Sequence, residues 1–397
     1  MKRMLMNKNT KVMLVEYNLD YHIIDKIYET YNINYAPLSV YNASKNKSLN
    51  TTKTVNNWFR GRGIPSWRKD LEGLLERLNV STTEELLNKA YALSLSDQYW
   101  LKEENSKLEW KDINFFTNDF KYQGYLNAAL DSSSTNHNLK ADELRSPNNT
   151  TDGMLQKGWI IEDGKRVLVK GTYTFSGEEP FNEWLASNIS KRLGFYYCDY
   201  KIDLLDDKLV SKCNDFISED EEIISAYDIF TSEKKPNNIS DYNFYIGLLE
   251  KNNIINAREA VSNMFIVDYL LMNTDRHLKN FGIIRDVNTL KWLRTTPIFD
   301  TGQSMQCDKN TTSMNFNSGE GKFFSNTKKN YEEILDSIGD YLATIDISKL
   351  DGLIDEYRSM LEKYQSKTDM SNQRIDKLVN GLKIRISLLE MEIMEYK

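Results

Sequence analysis

Along this chain apolar positions form short runs, recur every three to four residues, or scatter without period, and each pattern forecasts an element. Lys11-Val12-Met13-Leu14-Val15-Glu16 is a bounded apolar run and predicts a strand. Ile23, Ile24, Ile27, Tyr28 and Tyr31 recur at helical spacing and predict a helix over 23–31. Thr51 to Gly63 opens on N-cap residues and stops at glycine, Arg68 to Leu78 is amphipathic, and Ser81-Thr82-Thr83-Glu84-Glu85 starts a further helix. Residues 1–100 are therefore expected to form a small, mostly helical domain. From Ser94 to about Asn136, Tyr99, Trp100, Trp110, Phe115, Phe116 and Phe120 keep no period, so this stretch reads as a packed connector.

The pattern changes after Ser146. Ser146 to Trp159 is a turn-rich loop, and the segments 159–162 and 166–170 read as paired strands across Asp163-Gly164. Pro180 begins a helix with a stripe at Leu185, Ile189 and Leu193, stopped by Gly194. Lys208 to Phe216 reads as a strand leading into an irregular link. Ala257 to Met272 is apolar enough to be a buried helix, and it runs directly into Asn273-Thr274-Asp275. The segments 281–285 and 290–294 flank Asp286-Val287-Asn288-Thr289, a hairpin signal. From Tyr331 to Lys397 the spacing is helical.

Composition narrows the classes. At 397 residues, 40% hydrophobic and 27% charged, the chain is expected to fold as two or three lobes. A net charge of −7 and a pI near 5.3 argue against a general nucleic-acid or membrane-surface binder. Lys53, Arg60, Arg62, Arg68 and Lys69 cluster around Trp58 and Phe59, which invites a helix-turn-helix reading. The aromatic pair is better read as core, and direct DNA binding is not expected. Cys198, Cys213 and Cys307 are scattered and form no C-x-x-C pair, which fits a reducing cytoplasm and neither a disulfide framework nor structural zinc. The N-terminus lacks an apolar h-region, and the most apolar window, 261–272, is too short to span a bilayer, so no membrane association is expected.

The chemistry concentrates in Asn273-Thr274-Asp275-Arg276-His277-Leu278-Lys279-Asn280 and in Phe299-Asp300-Thr301-Gly302. Phosphoryl transfer from ATP needs a carboxylate to orient and deprotonate a hydroxyl, and an Asn and an Asp to hold Mg²⁺. Asp275, Asn280 and Asp300 are the candidates in that order. Upstream, a strand ending in Lys170 and a helix with an early Glu183 supply the lysine for the phosphates and the carboxylate that fixes it. The link from Cys213 to Phe216 falls where main-chain groups would meet an adenine. Asp300-Thr301-Gly302 also resembles an aspartic-protease motif, but such an enzyme needs two carboxylates sharing a proton and the chain has one copy. His22, His137 and His277 form no histidine metal cluster, and His277 reads as a scaffold residue beside the nucleotide.

These residues resemble the HipA-like serine/threonine kinases, a bacterial branch of the protein-kinase-like fold. Asp275-Arg276-His277-Leu278-Lys279-Asn280 corresponds to that family's Asp-x-His-x-x-Asn, supported by Phe299-Asp300, the loop from Thr150 to Lys157, Lys170 and Asn182-Glu183. The resemblance covers roughly residues 140 to 320. It implies an α+β, bilobal fold, with 101–215 a connector and ATP-binding N-lobe and 216–397 a helical C-lobe with the catalytic and metal-binding loops, preceded by the N-terminal mostly helical domain that the patterning gives to 1–100. It implies Asp275 as the base, Asn280 and Asp300 as Mg²⁺ ligands, and Lys170 on the phosphates. Thr150, Thr151, Gly153, Lys157, Cys213, Phe216 and His277 would lie around the nucleotide. Some members are toxins that phosphorylate aminoacyl-tRNA synthetases and are restrained by a helix-turn-helix antitoxin. Some are autophosphorylated on a phosphate-loop Ser, for which Ser146, Thr150 and Thr151 are the counterparts here. The chain departs from the family in a phosphate loop holding only Gly153 and Gly158, and in a first hundred residues that do not match the usual N-terminal subdomain. A small-molecule or lipid kinase and a nucleotide-binding pseudokinase are the alternatives to a protein kinase.

Overall fold

The computed structural model describes residues 1–66, 68, 70–130, 143–151, 156–325 and 327–397. Two units divide this chain. The first holds Met1–Lys170, Asn214–Ile224 and Ile284–Lys291; the second holds Gly171–Cys213, Ser225–Ile283 and Trp292–Lys397.

In the first unit, strands β1 (Lys2–Asn7), β2 (Thr10–Asn18) and β3 (Ile23–Thr30) precede helices α1 (Leu38–Lys45), α2 (Thr51–Arg60), α3 (Leu71–Arg77) and α4 (Thr83–Lys89), and β4 (Tyr99–Glu103) follows. The strands form one sheet in the order β3-β2-β1-β4. Side chains alternate across it. Leu5, Val15, Tyr17 and Leu101 pack on one face with Val40, Val55 and Phe59. Met4, Met6, Leu14 and Trp100 pack on the other with Trp110 and Phe115. Because both faces are covered, β2 reads as a continuous apolar run.

The helix expected over 23–31 is strand β3, and the first hundred residues are mixed rather than mostly helical. The register explains the misreading. Tyr17 pairs with Ile24, Glu16 with Lys26, Val15 with Ile27 and Leu14 with Glu29, so Asp25 and Tyr28 are extra residues in two bulges. Ile24 and Ile27 then meet the same core three positions apart, which imitates a helical repeat. Tyr99–Glu103, read as connector, is the strand that pairs with β1.

Three of the five basic residues, Arg60, Arg62 and Arg68, are paired within the unit. Phe59 is buried and Trp58 packs against the same core. Arg62 makes a bidentate pair with Asp97 at 2.7 and 2.9 Å and lies 4.8 Å from the Trp58 ring centre. Arg60 pairs with Glu84 at 2.9 Å, and Arg68 donates to Thr151 Oγ1 at 2.9 Å. Lys69 lies outside the described residues. After α5 (Trp110–Ile113) and α6 (Gln123–Leu130), strands β5 (Lys157–Glu162) and β6 (Lys165–Lys170) form the expected hairpin. Its turn residues, Asp163 and Gly164, have φ of 51° and 73°, as a type I′ turn requires.

The second unit begins with α7 (Glu179–Leu193), closed by Gly194 at φ 79°, and a hairpin of β7 (Lys201–Leu205) and β8 (Lys208–Asn214). Strand β9 (Glu221–Ser225), all but its last residue in the first unit, leads to α8 (Ala226–Phe230), α9 (Asp241–Lys251) and α10 (Ala257–Leu271) of the second. Strands β10 (Gly282–Asp286) and β11 (Trp292–Thr295) follow, then the short pair β12 (Glu320–Lys322) and β13 (Lys328–Asn330). Helices α11 (Tyr331–Ile338), α12 (Leu353–Tyr364) and α13 (Asn372–Glu395) complete the chain. Helix α10 is buried on almost every side, which is why its sequence is nearly all apolar. Among the described residues no helix is long and apolar enough to cross a membrane. The three cysteines are free and buried.

Candidate active site

The site of the second unit grows from the end of α10. The helix stops where Met272 turns left-handed, and the Asn273 N–H returns to the Asp268 carbonyl at 2.9 Å. The Asn273 side chain donates to Asp268 Oδ1 at 2.8 Å and accepts the Asp275 N–H at 2.9 Å. Tyr331 donates its hydroxyl to the Asn273 carbonyl at 2.8 Å. These bonds set the direction in which Asp275 leaves the helix.

Within the loop, the His277 N–H donates to the Asp275 carbonyl at 2.7 Å and the Asn280 N–H to the His277 carbonyl at 2.8 Å. Asn280 Nδ2 also donates to the Asp275 carbonyl, at 3.0 Å. His277 Nδ1 accepts the Lys279 N–H at 3.2 Å, so a neutral ring carries its proton on Nε2, which lies 3.9 Å from Asp275 Oδ2.

Arg276 is the clasp. Its guanidinium is fully buried and grips both oxygens of buried Asp268, at 2.8 and 3.0 Å. Its Nη1 donates to the carbonyls of Asn280 at 2.6 Å and Phe299 at 2.7 Å. One side chain thus ties the Asp275–Asn280 loop to the residue before Asp300. The bidentate geometry and added carbonyl bonds are what let a charge pair sit in the interior.

Asp300 has a left-handed backbone, φ 56°, and donates its N–H to the Tyr200 hydroxyl at 3.3 Å. The following residues are pinned from two sides. Asn182 of α7 donates to the carbonyls of Gly302 at 2.8 Å and Ser304 at 2.9 Å. The Thr274 N–H donates to Gln303 at 3.0 Å, and the Met305 N–H to Leu271 at 2.7 Å. Glu183, beside Asn182, is fully buried and accepts the Ser211 hydroxyl of β8. Burial first, then the neighbouring Cys213, Glu183, Cys198 and Asp300, pushes the Tyr200 phenol well above its ordinary range.

Lys322 of β12 places its ammonium 2.6 Å from Asp275 Oδ1. Neither it nor the Asp268–Arg276 pair was singled out from the sequence. Asp268 had a signal, a lone carboxylate in an apolar run, and so had Arg276, a cation between two candidate ligands. Lys322 had only its Gly321 and Phe323 neighbours.

The structure therefore brings Asp275, His277, Asn280 and Asp300 onto one frame. Cys213 is buried on β8 of the same unit. In the first unit Lys170 and Lys157 are buried and face each other in register across the β5/β6 hairpin, and Phe216 is partly buried after β8. Ser146 and Thr151 are buried there, and Thr150 is partly buried. Ser146 Oγ accepts the Asn148 N–H at 3.3 Å, Thr150 donates to Leu93 and Pro147 carbonyls, and Thr151 donates to Asn148. Gly153 lies outside the described residues.

The donors on this frame are oxygens, the kind a hard cation takes. With Nδ2 committed to a carbonyl, Asn280 keeps an amide oxygen to offer, and Asp300 adds a carboxylate. Two protein oxygens, with phosphate and water completing the shell, suit Mg²⁺. Among the described residues no group of three or more His, Cys, Asp and Glu could hold a metal by itself.

Residues 149–364, just over half of the chain, match the family model described as the HipA-like C-terminal domain. The serine/threonine-protein kinase CtkA of Helicobacter pylori is 24% identical over 243 residues, 53% of this chain and 74% of its own. The solved structure of the Helicobacter pylori proinflammatory kinase CtkA covers 60% of this chain and 94% of its own, with TM-score 0.48 and 20% identity. A chain of the Shewanella oneidensis MR-1 toxin–antitoxin complex of HipA, HipB and operator DNA covers 99% of both chains, with TM-score 0.54 and 14% identity. That likeness is one of fold, a mixed arrangement of antiparallel sheets and helices, and it extends over the first hundred residues, where the sequence had departed from the family.

Proposed function

Since the chain belongs to the HipA-like C-terminal domain family, we propose that it is an ATP-dependent serine/threonine protein kinase with a bilobal kinase-like layout. The observation that carries the reading is the Arg276 clasp, which holds the Asp275–Asn280 loop and the Asp300 segment to one buried anchor. Asp275 is the base: it takes the proton of a protein hydroxyl as that oxygen bonds to the γ-phosphorus. The bond from phosphorus to the β,γ-bridging oxygen breaks, and its electron pair leaves with ADP. Asn280 and Asp300 hold Mg²⁺, which when bound offsets the charge of the phosphates. Lys170 contacts the α/β-phosphates with Glu183 as its carboxylate partner, the segment from Cys213 to Phe216 meets the adenine, and Thr150, Thr151, Gly153, Lys157 and His277 lie around the nucleotide.

The partners proposed are a protein substrate, of which an aminoacyl-tRNA synthetase is the expected kind, and a DNA-binding antitoxin, in a cytoplasmic toxin–antitoxin pair. The assembly of HipA with HipB in the fold neighbour and the kinase activity of the Helicobacter relative support these readings. The test of the chemistry is Asp275→Asn. Transfer of label from ATP is expected to fall by at least about 10³-fold while Mg²⁺-ATP still binds; full transfer by the variant would remove Asp275 as the base.

A further inference from the structure

We propose that Lys322 is a further catalytic residue, whose ammonium passes from Asp275 to an oxygen of the transferring phosphoryl group. The inference rests on the phosphotransferase reading of this site and adds a residue to it. Lys322 Nζ lies 2.6 Å from Asp275 Oδ1, on the carboxylate that would receive the hydroxyl proton. A hydroxyl bound to that carboxylate stands within bonding distance of the phosphorus it attacks, so a cation there is next to the group in flight.

The backbone around Lys322 is built to hold it. Gly321 has no room for a side chain: a Cβ would stand 2.7 Å from Tyr331 Cε1 and 3.0 Å from the Asn273 carbonyl. On the other side Phe323 and Phe324 are buried among Phe265, Phe281 and Tyr245, with the Phe265–Phe323 ring centres 4.7 Å apart. The pairing of Gly321 with Lys329 and of Lys322 with Lys328 closes the strand pair. The two charged side chains keep 23% and 35% of their surface open. A pair this exposed adds little to stability, so the anchoring is better explained by what the ammonium meets from the solvent side. An anionic ligand beside Asp275 would compete for that ammonium, and a lysine needs only a side-chain rotation to change partners.

Charge accounting points the same way. Lys170 is assigned to the α/β-phosphates and Mg²⁺ would offset part of the phosphate charge, so a side-chain cation at the γ-phosphoryl oxygens adds to both as the bond to ADP breaks. Lys322 is placed to do this, and in doing so it releases Asp275 Oδ1.

The experiment compares wild type, Lys322→Ala and Lys322→Arg. It measures transfer rates from ATP and calorimetric binding of Mg²⁺ with the β,γ-imido analogue of ATP and with ADP. Lys322→Ala is expected to lower kcat by about 10²-fold or more. It should lose about tenfold in affinity for the imido analogue while keeping its affinity for ADP, and Lys322→Arg should recover part of both. Wild-type kcat in Lys322→Ala, or equal losses for the analogue and ADP, overturns the proposal. The kinase reading stands or falls on wild type alone. If wild type binds nucleotide but labels nothing, the analogue-over-ADP preference decides for or against Lys322; if wild type binds neither nucleotide, both readings fail.

Discussion

Among the single residues at the centre of this site, Asp275 and Asp300 differ in what holds them. Asp275 has its side chain on Lys322 and its carbonyl on Asn280, and the Asp300 backbone is held by Tyr200 and, through Phe299, by the clasp. If Asp300 is a metal ligand and Asp275 a base, Asp300→Ala should weaken Mg²⁺-ATP binding by about tenfold or more, and Asp275→Asn much less. Calorimetry that finds equal affinities in the two variants removes the metal role. A different residue-scale prediction concerns Asp215. Its Oδ2 is buried without a hydrogen-bond partner, and burial pushes the carboxyl up to about 8. The unfolded carboxyl ionises near pH 4, roughly its reference value. Between those values the folded chain holds a proton that the unfolded chain has lost, so stability falls as pH rises from about 4 to about 8. Asp215→Asn stays neutral and lacks that slope. Melting temperatures at pH 5 and pH 8 should therefore show wild type losing roughly a few degrees against the variant; parallel shifts would mean that Asp215 ionises normally.

Elements carry the site through bonds that sequence patterns do not announce. The helix–loop step at Leu271–Asp275 and the β5/β6 hairpin were legible, because an apolar stretch ending at a polar run and an Asp-Gly turn are local signals. The strand β3 was not, because two bulges displaced its apolar residues from alternation. Nor were the links from Arg276 to Asn280 and Phe299, or from Asn182 to Gly302 and Ser304, since they join positions far apart through main-chain carbonyls and have no spacing to read. The motif residues themselves were legible as candidates, since their identities and order are what the chemistry demands. Their support was not. At this scale the prediction is energetic. Arg276→Ala leaves Asp268 charged, buried and deprived of its guanidinium, and should cost about 3–5 kcal/mol. Arg276→Lys should rescue little, since an ammonium cannot make the paired bonds to Asp268. Denaturant unfolding that finds either variant as stable as wild type would mean that the clasp carries no load.

For the whole molecule, the proposed phosphotransfer is tested by its acceptor. Incubation with labelled ATP and a cell lysate is expected to label a protein band; label confined to a small molecule would favour the alternative substrate class, and bound ATP without any label would favour a pseudokinase. The chain's own hydroxyls are a further target. Ser146 and Thr151 are buried, and Thr150 and Thr151 donate inward to main-chain carbonyls. Phosphate on any of the three needs the 146–151 segment to leave its packing first. Intact-mass analysis after incubation with Mg²⁺-ATP should show a slow gain of one phosphoryl group with protease sites opening in that segment; a gain with the segment still protected would place the phosphate elsewhere.

The clasp has one more consequence. Beyond Asp268, Arg276 grips carbonyl oxygens that every amino acid possesses. The grip of Arg276 is indifferent to which side chains project from positions 280 and 299, whose carbonyls it holds. Those positions work like sockets, in which the tool can be exchanged while the mount stays still.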